Sequence, residues 1–183
     1  RPGWSGVPKV LLKADFNSGS PKPFALVRDQ VEVEGGRLRL VRTAGHFSRA
    51  DCELAAPVGG EWTLALTFEL LTDQSSLAVC LRDTAWQRHA CLVMNTKTEN
   101  GSRKGVHLMC DRMNDNSHHS SDNIALSHRF DPGRGQPHRL QLEHSRSGIW
   151  RLRVDGIPRG ESDAGCLIKR FDLISLHGYQ DSN

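Results

Sequence analysis

Few residues of this chain stand where chemistry, and not packing, is the simplest account of them. Trp86, in the turn "RDTAWQRH", is the aromatic residue that core packing explains least. Around it lie Arg82, Asp83, Gln87, Arg88 and His89, so an aromatic face stands among polar donors. That combination suits a ligand with both apolar and hydroxyl-bearing faces. Arg82, His107 and Arg112 are candidates to line the same surface. A half-buried turn tryptophan that covers one end of the fold accounts for Trp86 equally well.

A second group is the polar segment "DRMNDNSHHSSDN", Asp111 to Asn123, where His118 and His119 stand near Asp111, Asp115 and Asp122. Such side chains can ligate a divalent ion. Adjacent residues of an extended chain point in opposite directions, however, so neighbouring histidines seldom share one ion. The segment also lacks the EF-hand spacing. A solvated polar loop, longer than a typical hairpin connection, is the simpler expectation.

Nucleophilic and phosphate-binding signatures are absent. There is no G-x-S-x-G, no G-x-x-x-x-G-K-[ST] and no G-x-G-x-x-G, and no cysteine carries a protease signature. The acids Glu69, Asp73, Asp83, Asp111, Glu143 and Asp155 read as isolated positions. A divergent hydrolase or lyase would have to use Glu69 and Glu143 with His107 or His144. Cys52, Cys80, Cys91, Cys110 and Cys166 form no C-x-x-C pair, which argues against structural zinc. Cys80 and Cys91, on two runs separated by a turn, are best placed for a disulfide. All five could equally be small buried hydrophobes.

The elements that must position these residues read as strands. In "EWTLALTFELL", Leu64, Leu66, Phe68 and Leu70 share one face. Leu77, Val79 and Leu81 do the same, as do Leu38 and Leu40, Leu140 and Leu142, and Trp150, Leu152 and Val154. Alternation over five to ten residues predicts half-buried strands. Clusters such as "NSGSPKP", "VEGGR", "DPGRGQP", "SRSG" and "VDGIPRG" supply the turns. No window shows a helical apolar stripe, so an all-β sandwich or barrel is expected.

The 183 residues can bury a substantial core. Residues 1–9 read as a lead-in or linker, and 10–183 as a single domain. With a net charge of +3 and arginines scattered singly along strands, nucleic acid is not an expected partner. No apolar run approaches the roughly 18 residues that span a bilayer, and the N-terminus lacks a signal-peptide core. The chain does not begin with Met, as expected of a mature form or a segment of a longer protein.

The run His138–Leu142, its turn, and Trp150-Arg151-Leu152-Arg153-Val154-Asp155-Gly156-Ile157-Pro158 resemble a hairpin of laminin-G-like domains, within the concanavalin A-like lectin/glucanase superfamily. Other pieces follow in the family's order. "ADFNSG" is similar to its first strand, "VEGGRLRLV" to a hairpin, and "GEWTLALTFEL" to a long strand. The closing "FDLISLHGYQ" resembles the final strand, which returns beside the first. The resemblance, from about Ala14 to Tyr179, implies an antiparallel jelly-roll sandwich of two curved sheets. Trp150 is then expected in the core, and Pro158 on an edge strand.

The superfamily contains glycosidases and lyases as well as binders, so fold alone settles nothing. A retaining glycosidase needs two carboxylates about 5 Å apart. The family's E-x-D-x-(x)-E strand is missing. Of its lyase motifs only Gly178-Tyr179-Gln180 has a counterpart. The resemblance therefore implies a non-catalytic module of a larger protein, binding a glycan or a neighbouring protein domain. A divergent hydrolase or lyase and a protein–protein interaction domain stand as alternatives. Calcium is common in the superfamily, and Asp15, Asn17 and Asp172 are the candidate ligands, although turn and capping roles also explain them; His118 is a candidate only for the loop ion considered above. An extracellular or cell-envelope location follows from the same resemblance.

Overall fold

A computed structural model describes residues 10–28, 30–41, 48–72, 75–85, 88–96, 104–111, 124–162 and 168–180. Among these residues there are thirteen strands and no helix. They are β1 (Ala25–Arg28), β2 (Gln30–Glu34), β3 (Arg37–Val41), β4 (Ser48–Gly59) and β5 (Trp62–Phe68). Next come β6 (Ser75–Asp83), β7 (Arg88–Asn95), β8 (Gly105–Asp111) and β9 (Ile124–Arg129). The last are β10 (His138–His144), β11 (Trp150–Val154), β12 (Ile157–Ser162) and β13 (Arg170–Gln180).

A seven-stranded sheet runs β1-β4-β13-β6-β7-β8-β9, a four-stranded sheet runs β12-β11-β10-β5, and β2-β3 form a separate ribbon. Each pairing is antiparallel. The core lies between the two larger sheets. Val79, Leu81, Leu92, Met94, Val106 and Leu108 come from the large sheet. Leu140, Leu142, Trp150, Leu152 and Val154 come from the small one. Every second residue of β11 is buried, and Leu140 and Leu142 of β10 likewise, which is the alternation visible in the chain, and each fully buried Leu or Val contributes about 1.5–3 kcal/mol.

Trp150 is buried, with Trp62 edge-on at 5.4 Å and His144 at 4.8 Å between ring centroids. The β11–β12 reversal depends on Asp155 at φ 53° and Gly156 at φ 80°, both in the left-handed region that such hairpin turns require. The Asp155 carboxylate holds the neighbouring strand end. Oδ1 accepts the Arg139 amide at 2.8 Å, and Oδ2 lies 2.9 Å from His138 Nδ1. Pro158 falls on β12, an edge of its sheet.

Two expectations need correction. Residues Ala14–Gly19 do not form a strand. Phe16 takes φ 54° and its carbonyl accepts the Gly19 amide at 3.0 Å, so the chain turns where an extended segment was expected. The first strand is β1. Nor does the closing strand lie beside the first, because β13 sits between β4 and β6, and β1 is one strand further out.

Cys80 and Cys91 form a disulfide between directly opposed residues of β6 and β7. Cys110 is also disulfide-bonded, to a partner outside the described residues. Cys52 is free and buried, and burial pushes its thiol pKa up.

Candidate functional site

Residues of the seven-stranded sheet that alternate with the core residues point away from the core. Asp51, Ser175, Cys80, Cys91 and Met109 form one row across β4, β13, β6, β7 and β8. Two residues along to one side stand Glu53, Leu173, Arg82 and His89. To the other side stand Arg49, His177, Ala78, Val93, His107 and Ser127. The middle of this face is closed: Ala78, Cys80 and Cys91 pack together with Val93 around the disulfide.

Polar chemistry gathers to one side of that patch. Arg49 and Asp51, two residues apart on β4, form a two-point ion pair. Nε reaches Oδ1 at 2.8 Å and Nη2 reaches Oδ2 at 2.5 Å. Burial tends to raise the Asp51 pKa. The hydrogen bonds from Arg49 and the charges of Arg49 and Arg82 outweigh it, so the carboxyl stays below its ordinary value. Burial and the neighbouring Arg49 charge lower the Arg82 pKa, with Asp51 acting in opposition. Glu53, on the same face of β4, is exposed. On the other side of the patch, His107 is buried, with Nδ1 2.8 Å from Ser127 Oγ.

Of the predicted ligand-binding residues, Arg82 and His107 share this face. The register places them two strands and four residues apart, about 16 Å, with the disulfide patch between. Trp86 and Arg112 lie outside the described residues, as does His118. Among the other predicted metal ligands, Asp15 accepts the Asn17 amide at 3.3 Å. Asp172 accepts the Thr84 amide at 3.0 Å and its hydroxyl at 2.6 Å, tying β13 to the turn after β6. No group of three or more His, Cys, Asp or Glu suited to a metal occurs among the described residues.

The groups a divergent hydrolase would need do not converge. Glu143 is on the outer face of the four-stranded sheet, beside Gln141 at 2.8 Å and Arg153 at 3.4 Å. Glu69 is paired with Arg37. His144 packs on Trp62 and Trp150 and reaches the Gly60 carbonyl at 2.5 Å, whereas His107 faces out from the opposite sheet. Reading the acids as isolated positions overlooked Arg49, Asp51 and Glu53. Their signal is the alternation of "SRADCEL", with charges on one face and Ala50, Cys52 and Leu54 on the other.

No family model matches this sequence, and no curated protein matches it. Solved structures do match its architecture. The carbohydrate binding module CBM66 from Bacillus subtilis aligns with a TM-score of 0.61 at 8% identity, over 85% of this chain and 89% of that chain. The metal-free Emp46p carbohydrate recognition domain aligns with a TM-score of 0.56 at 17% identity, over 95% of this chain and 88% of that one. The fold is a concanavalin A-like β-sandwich. The apo Crh5 transglycosylase shares it too, with a TM-score of 0.62 at 14% identity, over 91% of this chain and 68% of that chain. Binders and an enzyme thus share the concanavalin A-like sandwich, and the side chains on its faces must distinguish them.

Proposed function

We propose that this chain is a non-catalytic carbohydrate-binding module of a larger protein, with its site on the outer face of the seven-stranded sheet. The observation that carries the reading is the Arg49–Asp51 ion pair with exposed Glu53 two residues further along the same face of β4. Guanidinium and carboxylate groups make paired hydrogen bonds, the geometry that adjacent sugar hydroxyls offer. A non-catalytic role is favoured by Asp51, whose two oxygens are taken by Arg49 and whose pKa is held low, so it is unsuited to donate a proton. The architecture shared with a carbohydrate-binding module and a carbohydrate recognition domain supports the same reading. Within that fold we assign the chain to the laminin-G-like type on its Trp150–Pro158 hairpin. Its disulfides fit a secreted or envelope location, where oxidising conditions preserve them.

The test is a glycan array followed by titration of the best ligand against the wild type and Glu53→Gln. Specific binding, weakened about tenfold by the substitution, is the expected result, since each hydrogen bond to a charged group is worth about 1.5–3 kcal/mol. A flat array, or full affinity in the variant, would remove the site from this face.

A further inference from the structure

Natural sheets block unwanted pairing at a free edge with bulges, proline or charge, and most edges of this sandwich carry such a device. β1 is four residues long, and its register slips at Val27. β9 has a register shift opposite Leu108 and Met109, and its Leu126 lies against Gly160 of β12. β12 carries Pro158, Arg159, Glu161 and a register shift of its own. The ribbon strands expose Glu32, Glu34, Arg37 and Arg39. Among the described edge strands β5 alone has none of these. It runs seven residues, Trp62–Phe68, in unbroken register with β10, without proline, glycine or charge. No strand pairs with its other side, and no hydrogen bond among the described residues reaches the backbone groups there.

The sequence of that edge reads alike in both directions. About Ala65, Leu64 matches Leu66, Thr63 matches Thr67, and Trp62 matches Phe68 as aromatic for aromatic. We propose that β5 pairs antiparallel with β5 of a second copy of this chain, about a two-fold axis at Ala65, so that the two four-stranded sheets form one continuous sheet. A two-fold interface uses the same patch on both subunits, so the patch must complement itself. Thr63 opposes the partner's Thr67 on the outer face and Leu64 opposes the partner's Leu66 on the inner one, pairs that stabilise neighbouring strands. Charge is complementary as well. β10 sets Glu143 beside Thr63 and Arg139 beside Thr67, so each of these rows across the seam runs from Glu143 of one copy to Arg139 of the other. Glu61 and Glu69, which meet at the ends of the seam, are already paired with Arg146 and Arg37. Thr63, Ala65 and Thr67 are exposed and Leu64 and Leu66 half-buried, so pairing covers apolar surface that a single copy leaves in water. This pairing is independent of the carbohydrate-binding reading, and it leaves the outer face of the seven-stranded sheet open in both copies.

Sedimentation equilibrium of the whole chain over a range of concentrations tests the pairing, with Ala65→Lys, Ala65→Glu, an equimolar mixture of the two, and Val27→Lys on the β1 edge. Position 65 faces its own copy across the axis, so this pairing makes the two charge variants complementary to each other. Melting curves confirm that each variant is folded. The wild type should dimerise as its concentration rises. Either Ala65 variant alone should self-associate at least about fivefold more weakly, since like charges then stand directly opposite. The mixture should recover the association, and Val27→Lys should associate as the wild type does. A wild type that stays monomeric would overturn the pairing and leave the edge to an extended segment of another protein. Dimers that survive both Ala65 changes, or that are lost with Val27→Lys, would overturn it in favour of another surface. A mixture no tighter than either variant alone would mean that position 65 does not face itself, which also sinks the proposed axis.

Discussion

Single side chains settle some of the questions that spacing raised. Trp150 was the most conspicuous residue of its hairpin, and its edge-on contact with Trp62 explains it without a ligand. Trp150→Ala should cost about 3–5 kcal/mol in denaturant unfolding, as large aromatic truncations in a core do. Trp150→Phe should cost less and leave glycan binding unchanged. Asp155 offers a charge test. The His138 hydrogen bond and the Arg139 amide lower its pKa, against a small opposing effect of burial. A carboxylate with a depressed folded pKa stabilises the protein above its ordinary value of 3.8, and that contribution fades as pH falls through the folded value. Asp155→Asn keeps a residue that tolerates the positive φ. It should therefore cost about 1 kcal/mol near neutral pH and almost nothing at about pH 2, measured by urea unfolding across that range. A constant difference at every pH would show that the charge is not what matters. The Arg49–Asp51 pair was legible in "SRADCEL" only as an alternation. Which residues stand across the sheet from that pair, Ser175 on β13 and Cys80 on β6, depends on which strands become neighbours.

At the scale of elements, period-two patterning identified most strands, because half-buried strands carry their orientation in the chain itself. β5, β10 and β11 show this with Leu64, Leu142 and Leu152 all inward. The segment Ala14–Gly19 was misread because hydrophobicity does not reveal a positive φ at a residue such as Phe16. Close approach of backbones is equally invisible in composition. Gly105, at φ 125°, sits so near β9 that a Cβ there would lie 2.1 Å from the His128 carbonyl oxygen. Gly105→Ala should therefore push β9 off β8 and free the His107–Ser127 contact. Hydrogen exchange should show faster amides on β9 while β10 and β11 remain protected. Slowing or no change on β9 would contradict that account.

For the whole molecule, the Cys80–Cys91 bridge joins residues eleven apart in sequence and should stabilise the fold by about 3 kcal/mol through its effect on the unfolded chain. Cys80→Ser with Cys91→Ser should lower unfolding free energy by that order, and reduction of the wild type, which also opens the Cys110 bridge, should lower it further. An all-β sandwich, its alternating faces and the Asp155-Gly156 reversal were determined by the sequence alone, since they arise from local backbone preference and from the period with which apolar residues recur. Only the tertiary structure decided the order of strands, the placement of β13 between β4 and β6, and with it the candidate site. Arg49, Asp51, Ser175 and Arg82 span more than a hundred residues of chain, and pairing across β4, β13 and β6 alone makes them neighbours. Spacing along the chain cannot encode that adjacency, because it is the long-range register of hydrogen-bonded strands that brings such residues onto one face.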